Sequence, residues 1–160
     1  MQIPLKLNSI DQEHLQELYD ASGVARDELP YTDKFDELWS GFQDRTFKNA
    51  DREQVFAAML KYTRSSRNAG TELGNTTLTD EQLKTLKAVL SRHGKAGKIL
   101  PYGDEINAAR TEFNKLASMD LNERDFWLSI IRLNTSKRRP PTRKKAAAAA
   151  PADDADDDGE

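Results

Sequence analysis

The side chains that could carry chemistry are few and scattered. The chain has two histidines and no cysteine, which removes disulfides, thiolate nucleophiles and thiolate metal sites. His14 stands with Asp11 and Glu17 at i, i+3 and i+6 spacing, which on a helix places an imidazole and two carboxylates on one face. A metal would be held weakly there, because a closed site needs ligands converging from several directions. A solvated helix face is the simpler reading. His93 has no such company. There is no His-Glu-x-x-His pair and no Gly-x-Ser-x-Gly turn. Gly94-Lys95-Ala96-Gly97-Lys98 suggests a phosphate loop, but that motif needs Gly where Arg92 stands and Ser or Thr where Ile99 stands. Asp33, Asp36 and Glu37 cluster at an expected helix start, where carboxylates suit the dipole. No catalytic residue, metal ligand or cofactor is assigned, and the chain is read as non-enzymatic.

One stretch has the chemistry of a polyanion binder. Lys137, Arg138, Arg139, Arg143, Lys144 and Lys145 are six cations around Pro140-Pro141. Such a block neutralises phosphates without reading sequence, and its affinity falls with salt. Lys61, Arg64 and Arg67 at the end of one expected helix, and Arg132 with Lys137 and Arg138 at the end of another, extend the candidate nucleic-acid contacts. Cations at helix C-termini are expected for dipole reasons in any case. After Ala146–Ala150 come six anions, Asp153, Asp154, Asp156, Asp157, Asp158 and Glu160. The two blocks take six charges each from 24 basic and 27 acidic residues, leaving 18 and 21 in residues 1–136. That slightly acidic remainder is unlike a DNA-reading module with a basic face.

The elements that position these residues come in two sets. Leu29-Pro30-Tyr31-Thr32-Asp33 returns 71 residues later as Leu100-Pro101-Tyr102-Gly103-Asp104. The offset holds without a gap from 29–67 to 100–138, with Phe35 opposite Ile106, Phe42 opposite Phe113, Val55 opposite Phe126 and Phe56 opposite Trp127. Upstream, Ser9-Ile10, Leu15 and Leu18 match Thr77-Leu78, Leu83 and Leu86 at offset 68, which requires three extra residues within Arg92–Lys98. Two copies of one supersecondary unit is the economical reading. Proline disfavours helix in the residue before it, so Leu29 and Leu100 are expected to be extended. Leu and Tyr are then expected to pack on the following helix turn as a staple, with Asp33 and Asp104 at its positive end.

Apolar spacing marks the helices. Ser9-x-x-Gln12 has capping-box spacing and opens the first, which Gly23 closes. Phe35, Leu38, Trp39 and Phe42 give a second over about 32–47; Val55, Phe56, Met59 and Leu60 give a third over about 51–66. Thr79-x-x-Gln82 opens the fourth, with Leu83, Leu86, Val89 and Leu90 inward. The fifth covers about 103–118 and is a weaker copy, with Arg110 where the second has Trp39. The sixth starts after Asn122 and carries Phe126, Trp127, Ile130, Ile131 and Leu133. The expected fold is all-α: a tandem duplication of a three-helix module, about six helices, with a disordered C-terminal tail. The expected boundaries are an N-terminal arm at 1–8, a first module at 9–67, a linker at 68–76, a second module at 77–136 and the tail at 137–160. The tail is too polar to bury a core. No apolar run is long enough to span a membrane and no signal peptide is evident, so an intracellular, cytoplasmic setting is expected.

Paired helical modules leave grooves that hold partner helices or peptides. The function expected is therefore that of an adaptor engaging a partner protein through the inter-module surface. The alternative is a DNA- or RNA-associated protein using 137–145 and the basic helix ends. Core packing is the simpler reading of Trp39, Trp127, Phe47 and Tyr62; any that stay exposed would line a groove.

Overall fold

The computed structural model describes residues 3–63, 77–94 and 99–138, with side chains as far as residue 134. They form six α-helices: α1 (Ser9–Ser22), α2 (Asp33–Thr46), α3 (Arg52–Tyr62), α4 (Asp80–His93), α5 (Asp104–Ala117) and α6 (Glu123–Arg138), with a 3-10 turn at Arg26–Glu28. The fold is all-α, and no strand occurs among the described residues. The arm before α1 is irregular; Leu5 and Leu7 pack on the core, and the Gln54 side chain donates to the Ile3 carbonyl at 3.1 Å. The linker expected at 68–76 lies outside the described residues, as does the tail from residue 139 onward. The tail boundary itself moves, because α6 takes in Lys137 and Arg138.

Local chemistry explains where the helices begin and end. Asn8, rather than Ser9, caps α1: its side chain accepts the Asp11 N–H, and the Asp11 carboxylate accepts the Asn8 N–H in return. Gln12 instead donates to the Leu7 carbonyl. Gly23 closes α1 in the left-handed region at φ 66°. Asp51 with Gln54 and Thr79 with Gln82 make the boxes of α3 and α4. α3 stops at Tyr62, short of the expected 66, because Thr63 turns extended and both its N–H and its hydroxyl donate to the Met59 carbonyl. Leu29 is helical (φ −66°, ψ −41°), not extended. Its N–H closes the 3-10 turn on the Arg26 carbonyl, and that bond overrides the pre-proline preference.

A single offset of 71 relates all three helix pairs. α1 and α4 are both 14 residues long, begin at residues 9 and 80, and are capped by Asn8 and Thr79. Leu15 and Leu86, fully buried, occupy the same place. The offset of 68 and its three-residue insertion are therefore incorrect. Helical stripes repeat every three to four residues, so leucines three apart align almost as well after a slip of one turn. α2 and α5 also match end for end, and both finish on a non-glycine residue in the left-handed region, Phe47 at φ 54° and Ser118 at φ 52°. Trp39 and Gln43 both donate to the Ala50 carbonyl, at 2.8 and 2.7 Å. Their counterparts Arg110 and Asn114 donate to the Leu121 carbonyl, at 3.3 and 3.0 Å. The chemically unlike pair Trp39 and Arg110 thus does one job, holding the turn into the third helix of its half.

The two halves meet residue against counterpart. The Tyr31 N–H donates to the Tyr102 hydroxyl, and the Tyr102 N–H donates to the Tyr31 hydroxyl at 2.8 Å. The two rings lie 4.4 Å apart between centroids. Phe56 meets Trp127 edge to face at 5.8 Å. The Tyr102 ring stacks on Phe35 at 5.1 Å, so it staples the opposite half rather than its own helix turn. Trp127 Nε1–H donates to the Asp27 carbonyl at 2.7 Å, tying α6 to the 3-10 turn. Two residues miss the core assigned to them: Leu60 is 42 % exposed and Phe47 93 %.

Tyr31→Phe and Tyr102→Phe each strip one backbone N–H at the seam of its acceptor while keeping the ring. Each is expected to lower stability by about 1 kcal/mol, read from urea midpoints. A second prediction concerns α4 and α5. Glu112 on α5 binds both His93 and Arg92 at the end of α4. The hydrogen bond from His93, with the Arg92 guanidinium alongside, holds its carboxyl below the usual carboxylate range. A lowered folded pKa stabilises above the unfolded value of about 4.3 and is lost as pH falls through the folded one. Glu112→Gln should therefore be less stable than the parent chain at neutral pH, and urea unfolding at successively lower pH should show the gap closing in the acid range.

Candidate partner-binding cleft at the seam

Leu29-Pro30-Tyr31 and Leu100-Pro101-Tyr102 meet through their tyrosines. Leu29, Pro30 and Pro101 are buried, Leu100 and both tyrosines half-buried. Asp33 and Asp104 are exposed on the first residues of α2 and α5. Tyr31 and Tyr102 both sit in the left-handed region, at φ 63° and 68°, which bulky residues rarely adopt. Burial pushes the Tyr31 phenol up to about 12, against the lowering effect of the N–H it accepts from Tyr102. Tyr102 is raised for the same reasons. Both phenols stay neutral and keep their hydroxyls at physiological pH.

Beside Tyr102 the halves leave a cleft of about 360 Å³. Trp39, Asp51, Arg52 and Glu53 line it from the first half, and Tyr102 and Asp104 from the second. Arg52 lies over the Trp39 ring at 4.1 Å and is fixed there by Asp36 at 2.8 Å. Glu53 packs on Gly103, where an added Cβ would come within 3.0 Å of its carboxylate. The corresponding positions across the seam are Arg110, Asn122, Glu123, Arg124, Tyr31 and Asp33. The two ends of the seam thus differ in charge: three carboxylates and one arginine line the first, two of each sign stand at the second.

Four of the candidate nucleic-acid contacts lie among the described residues. Lys61 is exposed at the end of α3 with its ammonium 5.0 Å from the Tyr62 ring. Arg132 is half-buried on α6 and has interactions of its own. Lys137 and Arg138 lie on the last turn of α6. Arg64, Arg67, Arg139, Arg143, Lys144 and Lys145 lie outside the described residues. His14 Nδ1 lies 3.9 Å from the Glu17 carboxylate, and no group of three or more metal-binding side chains occurs among the described residues. No helix among them is long and apolar enough to cross a membrane.

Sequence reasoning missed the cleft because its members are far apart in the chain. The repeat marks Tyr102, but nothing local says that it lines a cleft with Trp39 and Arg52. No family model matches the chain, and neither the curated proteins nor the solved structures contain a match to it.

The two raised phenols give an alkaline signature. The unfolded chain ionises tyrosine near pH 10, whereas the native chain holds Tyr31 neutral to about 12. The stabilisation is complete below about pH 10 and lost as pH rises through the folded value. Urea midpoints taken from pH 8 upward should fall above about pH 10, and should fall less in Tyr31→Phe/Tyr102→Phe.

Proposed function

We propose that this chain is a non-enzymatic helical binding protein, built from two copies of one three-helix unit, that engages a partner protein through the surface between its halves. The cleft beside Tyr102 carries this reading, because both halves contribute its walls. It joins aromatic area from Trp39 and Tyr102 to charged groups, the mixture from which specific protein contacts are made. The helix, cap and turn positions of the two halves correspond at one offset, which supports the duplication. A second reading, association with DNA or RNA, has one structural observation in its favour: α6 runs into the basic tract and carries Lys137 and Arg138 on a helix. Salt separates the two. A tract bound to phosphates loses affinity steeply as salt rises, and a chain ending at residue 138 would bind far more weakly than the full chain.

The partner reading has an internal control, because Asp104 and Asp33 are counterparts at opposite ends of the seam. Reversing either charge costs its helix a similar dipole term, about 0.3–1 kcal/mol. Once a partner is captured from cell extract with the full chain and identified, Asp104→Lys is expected to weaken its binding at least about tenfold, or roughly 1.4 kcal/mol. Asp33→Lys should leave it within about twofold. Equal retention by both variants in a binding titration removes the cleft from the proposal.

A further inference from the structure

We propose that the partner presents an arginine side chain to the cleft beside Tyr102, so that what is recognised is a basic segment of a protein. The inference rests on the partner-binding reading and names the chemistry of the group that the cleft takes. At about 360 Å³, the cleft lies at the small end of the roughly 300–1,000 Å³ of ligand pockets. That is room for one long side chain rather than for a helix face.

Charge sets the sign of the occupant. Two helices begin at the cleft, α3 behind its cap Asp51 and α5 behind its cap Gly103. A helix start ordinarily draws an anion. Here the chain's own carboxylates, Asp51, Glu53 and Asp104, hold that place. Asp36 neutralises Arg52 at 2.8 Å. Three carboxylates against two helix starts, each worth about half a positive charge, leave the cleft at about −2. The other end of the seam has Arg110, Arg124, Glu123 and Asp33 at the corresponding positions, with Asn107 in place of Asp36, and comes to about +1 by the same count. Helix starts explain why acidic residues stand at both ends. They do not explain the difference in sign, and by this count only the first end attracts a cation.

The lining suits a guanidinium in particular. Asp51 and Glu53 reach the cleft from the start of α3 and Asp104 from the start of α5, so carboxylates flank it from both halves. Asp51 accepts the Gln54 N–H at 2.8 Å, but a carboxylate has about four acceptor sites, and capping leaves others unused. Arginine offers a planar fork of N–H donors and is more weakly hydrated than lysine. It can bond carboxylates on two sides at a smaller desolvation cost. The chain already holds one guanidinium at the cleft in this manner: Arg52 lies over the Trp39 ring at 4.1 Å with the Asp36 carboxylate against it. An anionic group in the same space would meet three carboxylates, and an arginine whose charge Asp36 already balances.

The test titrates the full chain with N-acetyl-arginine amide and, separately, with its uncharged isostere N-acetyl-citrulline amide, following the two tryptophan indole N–H signals by NMR. Trp39 lines the cleft, and Trp127 is buried with its N–H on the Asp27 carbonyl. The arginine probe is expected to shift the Trp39 signal saturably, with a dissociation constant of about 1–20 mM, and to leave Trp127 in place. The citrulline probe should bind at least about fivefold more weakly, since its hydrogen bonds lack the charge. Asp104→Asn should weaken the arginine probe at least about threefold. Asp33→Asn, its counterpart at the helix start across the seam, should leave it unchanged. Absence of a saturable Trp39 shift up to about 100 mM of the arginine probe overturns the inference, as does a citrulline probe of equal affinity. A captured partner that still loses binding with Asp104→Lys would then show that the cleft holds it by other chemistry, so the partner reading survives. An arginine probe that binds as expected, while every captured partner is indifferent to Asp104→Lys, supports the cation site and overturns the partner reading instead.

Discussion

The reciprocal bond between Tyr31 and Tyr102 is the constraint on which the arrangement of the halves depends. Each tyrosine must offer its backbone N–H and its hydroxyl to the same partner while their rings pack at 4.4 Å. Both sit at positive φ, a conformation that costs an L-residue with a Cβ roughly 1–2 kcal/mol. Two hydrogen bonds of about 1 kcal/mol each and a packed aromatic pair worth about 0.5–1.5 kcal/mol offset that cost only when both tyrosines engage. The pairing therefore balances its own backbone cost. It fixes the starts of α2 and α5 relative to each other, which in turn brings Phe56 onto Trp127 and leaves the cleft beside Tyr102.

What the sequence revealed divides by distance along the chain. Helix caps, apolar stripes and the left-handed stop at Gly23 depend on residues within a turn of one another, and these were legible. Two local errors, the cap at Asn8 and the helical Leu29, arose where adjacent signals competed and a backbone hydrogen bond decided. The correspondence of residues 29–67 with 100–138 was legible too, but its register in the first helix was not, since leucine spacing alone tolerates a one-turn slip. The seam was hidden, because the bond between residues 71 apart leaves no trace in local pattern. Tyr31 and Tyr102 could be named as important and still be assigned to the wrong partner, the helix turn beside each rather than the opposite half. Exposure was equally opaque at Phe47: its position as the left-handed cap of α2 points the side chain into solvent, whatever its hydrophobicity.

The pairing of Trp39 with Arg110 shows why identity understates likeness here. Residue for residue they are dissimilar, and the fifth helix reads as a degraded copy of the second. In the structure each reaches the carbonyl that precedes its next helix, aided by Gln43 or Asn114. The fold asks only for a side-chain N–H at that position, and indole and guanidinium both supply it.

That equivalence separates what the fold requires at the cleft from what it does not. The carboxylates at the seam are accounted for by the helix starts they occupy: Glu53 on α3, Asp104 on α5, and Glu123 and Asp33 across from them. Any chain of this architecture would collect acidic residues there. An indole is not required by the same logic, since Arg110 holds the corresponding turn without one. Nor is an arginine laid over the ring and fixed by Asp36; the counterpart of Arg52 is Glu123. The fold is indifferent between Trp39–Arg52 and Arg110–Glu123, and it uses one at each end of a nearly symmetric seam. The difference between the ends is therefore one that the packing of the helices does not require.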